Sequence, residues 1–233
     1  LPSKYFDMEK KTILEELKMY EDMPDSKAYE EQWQLLFGKT GLGRLIGGTV
    51  ESVKDLKLAD LHDYRKKWFV RSNMILGVVG NYGSEKGVVE LIRKEFSGLL
   101  AGGGVLVKKD KFEWPVASRA KIKLIPRKTQ QANISIGLPG LPIGHSSRYA
   151  MYLTNILLGG GAISRLFKEV REKRGLAYSI GSATESFVDA GSIMIGAGLP
   201  AEKIKEAMSL ITEIVWGLGG RGKYGITSKD LAI

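Results

Sequence analysis

Apolar positions recur at two periods along the chain, and the switch between them separates helices from strands. Residues 7–20 contain neither glycine nor proline, and Ile13, Leu17 and Tyr20 return at helical spacing. Pro24 cannot continue that helix and disfavours it at Met23, so a second helical run is expected over 28–37, with Trp33, Leu36 and Phe37 on its apolar side. Five glycines between 38 and 48 predict a loop. One helix is then expected over 53–69, carrying Leu56, Leu58, Leu61, Tyr64 and Trp68. The short apolar run 74–79, ended by Gly80 and Asn81, reads as a buried strand and a turn. Ser84 caps a helix over 85–96 that turns Val88, Val89, Leu91 and Ile92 inward.

Glycines and a lysine cluster between 97 and 114 have the composition of a linker. Beyond it the same rhythm resumes, with strands at 121–125 and 132–137 and a helix over 146–158. A strand at 191–198 carries Ile193 and Ile195 on one side. Pro200 stands at the start of a helix over 201–216, which carries Ile204, Ala207, Met208, Ile211 and Val215 and ends in the glycines of 217–222. Strands and amphipathic helices in both halves, without a residue-level repeat, suit two copies of an α+β unit.

Between these elements lies a stretch with less ordinary chemistry, residues 158–178. Gly159, Gly160 and Gly161 remove every Cβ from one turn, so its backbone can lie against another surface. Leu166, Phe167, Val170 and Arg174 follow at helical spacing, and Gly175 sits where a helix stops. Leu176, Tyr178 and Ile180 then alternate as in a strand. A glycine run before a helix can cradle phosphate, but neither the lysine–serine ending of a P-loop nor the spacing of a dinucleotide fingerprint is present. By themselves Arg171 reads as a solvated helix charge and Tyr178 as a strand aromatic.

Composition narrows the classes. Hydrophobic residues make up 43% of 233, enough for a real core, and no apolar run approaches the roughly 20 residues that cross a bilayer. A soluble chain without a membrane partner is expected; its compartment is not specified, the cytoplasm being the default. Cysteine is absent, which removes disulfides, thiolate metal sites and a cysteine nucleophile together. The net charge of +9 would suit nucleic acid if it were focused on one face. Lysines and arginines are instead interleaved with glutamates through the helical segments, so no nucleic-acid partner is expected.

Taken with its order, the stretch Gly-Gly-Gly-Ala-Ile-Ser-Arg-Leu-Phe followed by Arg-Glu-Lys-Arg-Gly-Leu-Ala-Tyr-Ser resembles the signature of the insulinase/pitrilysin family of inverted zincins, which includes the mitochondrial processing peptidases. Ile163 departs from the serine that members often have. The segment from Glu9 to Asp25 is similar to the part of the same family that supplies the third zinc ligand, and residues 42–49 resemble its linker. The resemblance implies an α+β fold of two related α/β domains, antiparallel-rich sheets flanked by helices, both incomplete here. Residues 1–100 would be the C-terminal part of the first, zinc-type domain, 101–118 a linker, and 119–233 the N-terminal part of the second, non-zinc domain.

Matched position by position, the resemblance implies that Glu16 is the third zinc ligand and that Glu9, two turns earlier, supports it. Arg171 and Tyr178 would reach the substrate backbone from the second domain. Helical geometry puts Glu16 beside the apolar line of Ile13, Leu17 and Tyr20, where a carboxylate needs a partner or a cation, although paired glutamates on one helix face are commonplace. Catalytic zinc of this class also needs His-x-x-Glu-His on one helix. That motif is absent, and His62 and His145 have no such spacing. In the family it lies upstream, and the start at Leu1 suggests a piece of a longer product. The expectation is therefore a fragment of a zinc metalloendopeptidase acting on extended or unfolded peptides, with zinc in the parent but none bound tightly by this chain, which alone would be inactive. Assembly into homo- or hetero-oligomers fits the family. The alternative is a non-catalytic subunit or scaffold of the same family.

Overall fold

The structure is a computed structural model that describes residues 3–100, 120–220 and 222–231, with 99 and 100 as backbone alone. It divides into two compact units, one formed by residues 1–14 and 49–110, the other by 15–48 and 111–233. Helix α1 (Ser3–Asp22) contributes residues to both. The linker expected at 101–118 lies outside the described residues.

In the first unit α3 (Val50–Asp55) opens on a reciprocal cap: Ser52 N donates to Thr49 Oγ1 at 3.2 Å and Thr49 N to Ser52 Oγ at 2.8 Å. The single helix expected over 53–69 is in fact two, because α4 (Leu58–Trp68) begins afresh. Leu56 and Lys57 are extended, and the Asp60 carboxylate accepts the Lys57 N–H at 2.8 Å. The carbonyls freed at the end of α3 accept instead from the Lys10 ammonium, which reaches Lys54 O and, at 2.9 Å, Leu56 O. Ser84 Oγ caps α5 (Glu85–Glu95) by accepting from Gly87 N, and α6 (Ser97–Leu100) follows. Residues 74–79 form no ladder, and Ile75 and Val79 are fully exposed, at 102% and 100%. The apolar run was a sound strand signal, but a strand exists only by pairing, and this unit has no strand among the described residues.

The second unit is built on a three-stranded antiparallel sheet in the order β1 (Ala132–Pro139), β3 (Gly191–Leu199), β2 (Ser179–Ser186). Ile136 and Ser182 both face Ile195 in the central strand, and most of β3 is buried, as a strand with two neighbours should be. The strand expected at 121–125 has no ladder either: Ile122 and Leu124 are exposed, and Lys123 pairs with Glu31. Helix α2 (Pro24–Phe37), with Pro24 in its first turn, packs on β1, where Ser135 Oγ donates to the buried Gln32 at 3.4 Å. Helix α7 (Arg148–Leu158) packs on β2. After Pro200 and a 3₁₀ turn, α8 (Ile204–Leu218) buries Ala207, Leu210, Ile211, Ile214 and Leu218, one helical stripe. These join Leu166, Val170, Leu176, Ile195 and Leu199 in one core. The fold is α+β, a small antiparallel sheet with helices packed against it. Among the described residues no helix is long and apolar enough to cross a membrane.

Candidate functional site

Leu158, Leu166, Val170, Leu176 and Ala177 anchor the stretch 158–178 in that core. At the end of α7, Gly159 N and Gly160 N both donate to Asn155 O, at 2.9 and 3.0 Å. Gly159 O then accepts from Ser182 N on β2 at 3.0 Å. The glycine run thus serves close approach of backbone to backbone. Ser164 is buried, its carbonyl accepts from Lys168 N at 3.0 Å, and its Oγ accepts from Phe167 N at 3.4 Å.

Helical spacing correctly marked the next segment, but its winding differs from expectation. Phe167–Glu172 is a π-helix, a form found mostly as single turns, often at functional sites. Lys173 N donates to Lys168 O, five residues back, at 2.9 Å, and Leu176 N to Val170 O at the same distance. Leu166 and Val170 are completely buried. Arg171, next along, is exposed, and its guanidinium lies over the Phe167 ring, 4.7 Å from the centroid. Glu169 accepts from Lys173 Nζ at 2.5 Å and lies 3.9 Å from Lys223 Nζ, and the Lys173 hydrogen bond above all holds its carboxyl below the usual range.

Gly175 ends the segment at φ +56, the left-handed region, and its N–H donates to Arg171 O at 3.1 Å. Leu176 and Ala177 enter the core, and Tyr178, its N–H on Gly198 O at 2.9 Å, turns its side chain outward with 61% exposed. The Gly175 turn therefore carries Arg171 on one limb and Tyr178 on the other. Among the described residues neither the guanidinium nor the phenol hydroxyl has a hydrogen-bond partner, so the donors of both are uncommitted. Ile163 is exposed on the loop before them.

Glu9 and Glu16 lie on α1, both exposed. The burial beside Ile13, Leu17 and Tyr20 that would oblige Glu16 to find a partner is absent, because Ile13 and Leu17 are only half-buried and Tyr20 is exposed. His62 and His145 are exposed, and His145 Nδ1 accepts from Ser147 N at 3.0 Å. Among the described residues no group of three or more histidines or carboxylates is placed to hold a metal ion. Zinc takes three protein ligands in a catalytic site, and Glu16 offers one, so the described residues do not by themselves fit zinc.

One pair escaped the sequence reading. Arg165 Nη2 donates to Gly225 O at 2.8 Å and to Asp230 Oδ2 at 2.9 Å. Its place in Ser-Arg-Leu-Phe was visible, but nothing local pointed to a partner 65 residues away.

Residues 55–229 match the family described as the peptidase M16 inactive domain, and the chain belongs to that family. In particular it is 34% identical over 234 residues to an uncharacterized zinc protease of Streptomyces coelicolor, a match covering 97% of this chain and 49% of the relative. It is 32% identical over 224 residues to an uncharacterized zinc protease of Bacillus subtilis, covering 96% and 52%. The chain thus spans about half the length of the curated relatives it matches. Its fold is similar to the crystal structure of a peptidase M16 inactive domain from Pseudomonas fluorescens, with TM-score 0.86 and 26% identity over 99% of this chain and 54% of that one. A chain of complex III from Candida albicans shares the fold alone, with TM-score 0.74 and 18% identity over 96% of this chain and 53% of that one.

Proposed function

We propose that this chain is the part of a zinc-dependent metalloendopeptidase that joins the end of its zinc-type domain, residues 1–100, through a linker at 101–118, to the beginning of its non-zinc domain, 119–233. The observation that carries this reading is the Gly175 turn, which presents Arg171 and Tyr178 outward from a buried core, in a chain of the M16 family whose relatives are named zinc proteases. The substrate is an extended or unfolded peptide. Arg171 donates guanidinium hydrogen bonds to its carbonyl oxygens, and the stacking on Phe167 keeps the fork oriented without consuming its donors. Tyr178 donates its hydroxyl to the substrate carbonyl or to negative charge developing on that oxygen. Glu16 would contribute one carboxylate to zinc and Glu9 would orient it, the remaining ligands being supplied by other parts of the full-length protein. Zinc bound by the full ligand set would supply a water of near-neutral pKa and a Lewis acid for the carbonyl. Without a complete ligand set this chain alone hydrolyses nothing. The full-length protein works as peptidase domains assembled in one chain or in a homo- or hetero-oligomer.

The test is zinc content and peptidase activity of the full-length protein beside those of this chain. Zinc near one per full-length molecule and near zero here is expected. Glu16→Gln should release the zinc, whereas Tyr178→Phe should lower turnover by roughly 100-fold or more with zinc retained, the scale of losing one transition-state hydrogen bond. Zinc retained by Glu16→Gln would show that Glu16 is not a ligand. The match to a domain described as inactive favours a second reading, a non-catalytic subunit or scaffold of the same family. Absence of zinc and activity from the full-length protein selects it.

A further inference from the structure

The π-helix that carries Arg171 is gripped from one flank by residues 222–231. Arg165 Nη2 donates to Gly225 O and Asp230 Oδ2, and the two side chains are only 16% and 26% exposed. Asp230 is itself fixed: Oδ2 also accepts from Thr227 N at 2.7 Å and Thr227 Oγ1 at 2.8 Å, while Asp230 N donates to Thr227 O at 3.0 Å. Tyr224, buried in the same core as Leu166 and Val170, seats the segment, and Lys223 adds a charge near Glu169. The grip is therefore a preformed turn holding one guanidinium, not a loose surface ion pair.

Its position relative to Arg171 follows from the winding. Leu166 and Val170 mark the buried line of the segment; Arg165 precedes that line and Arg171 follows it. At roughly 80–100° per residue the two arginines fall on opposite flanks. Leu166 and Val170 alone hold the segment against the core without preventing it from rolling about its axis. A guanidinium bonded to two oxygens on one flank does prevent it. A small roll matters, since a misplacement of about 1 Å in a positioning group costs on the order of 100-fold.

We infer that Arg165, held by Gly225 and Asp230, is a positioning residue that fixes the roll of the π-helix and so aims Arg171 at the peptide. This rests on the reading that Arg171 contacts substrate. The experiment is a double-variant cycle in the full-length protein. It measures the affinity for fluorescein-labelled β-casein, an unfolded protein, by anisotropy with a chelator present so that nothing is cleaved. Arg171→Ala should weaken binding roughly 10-fold or more, the scale of a lost hydrogen bond to a charged group. Arg165→Lys, which keeps the charge but whose shorter stem sets its ammonium back from the place Nη2 holds between the two oxygens, should weaken it several-fold. Combined with Arg171→Ala, it should add nothing, because its effect passes through that side chain. Asp230→Asn is the second variant should Arg165→Lys fail to fold, with the same expectation. Losses that multiply in the double variant would mean that Arg165 acts independently of Arg171 and would overturn the inference, as would full affinity of Arg165→Lys beside a weakened Arg171→Ala. Full affinity of Arg171→Ala would instead sink the substrate reading, and the inference with it.

Discussion

Replacing Gly159 by alanine tests what the glycine run is for. A Cβ built on Gly159 would stand 2.5 Å from Ser182 N, 2.5 Å from Ser182 Oγ and 2.8 Å from Ser182 Cβ, all inside contact distance. Ser182 has little room to retreat. Its N–H donates to Gly159 O at 3.0 Å, its Oγ donates to Asn155 Oδ1 at 2.7 Å, and it is paired with Ile195 in the sheet. Overpacking at such a site costs about 1–3 kcal/mol, and loss of the Gly159–Ser182 hydrogen bond about 1 more. The sum, about 2–4 kcal/mol, corresponds to a fall in Tm of roughly 4–16 °C for a unit of this size. Gly161 is the internal control, since nothing lies within 4 Å of its Cβ direction, and Gly161→Ala should change stability by no more than about 0.5 kcal/mol. Thermal denaturation of the two variants followed by circular dichroism decides the matter. Equal melting temperatures, or a lower one for Gly161→Ala, would refute the claim that the run exists to let α7 meet β2.

Other expectations concern charge. Tyr29 Oη donates to Glu185 Oε1 at 3.1 Å, and burial first, then that carboxylate, push its phenol up to about 12 from an ordinary 10.0. Between those values the unfolded chain loses a proton that the folded one keeps, so this contribution to stability, complete below pH 10, disappears as pH rises towards 12. Glu185→Gln should lower the Tyr29 midpoint, read as the difference in phenolate absorbance from a Tyr29→Phe variant. On the acid side, hydrogen bonds hold several carboxyls below their usual range, among them Glu21 chiefly through Lys27, Glu169 chiefly through Lys173, and Asp230 chiefly through the Thr227 backbone. Their stabilisation is complete above the unfolded values of 4.5, 4.5 and 3.8 and fades as pH falls through the lower folded ones. Asp230→Asn should therefore flatten the acid limb of the Tm-against-pH curve.

Local signals carried a good part of the fold. Pro24, Ser84, Gly175 and Pro200 marked boundaries that stand, because caps and breakers act through the backbone of their own residues. The split between α3 and α4 was also written locally, in Thr49, Ser52 and Asp60, but apolar periodicity continued across it and concealed it. The runs at 74–79 and 121–125 show the opposite failure, strand composition with nothing to pair against. At the candidate site Arg171 and Tyr178 could be named only by resemblance, since a charged residue and an aromatic seven positions apart carry no local sign of facing outward together.

By itself the sequence determined the family, the class of fold, the helices that end on prolines and glycines, and the residues to watch. These follow from near-neighbour sterics and from motifs read in order. Only the tertiary structure decided that Gly159 lies against Ser182, and that Arg171 stands on a π-helix. It alone showed that Asp230 reaches back to Arg165. Those features depend on contacts between residues tens of positions apart, and such contacts form only when the core around Leu166, Val170 and Ile195 brings the elements together.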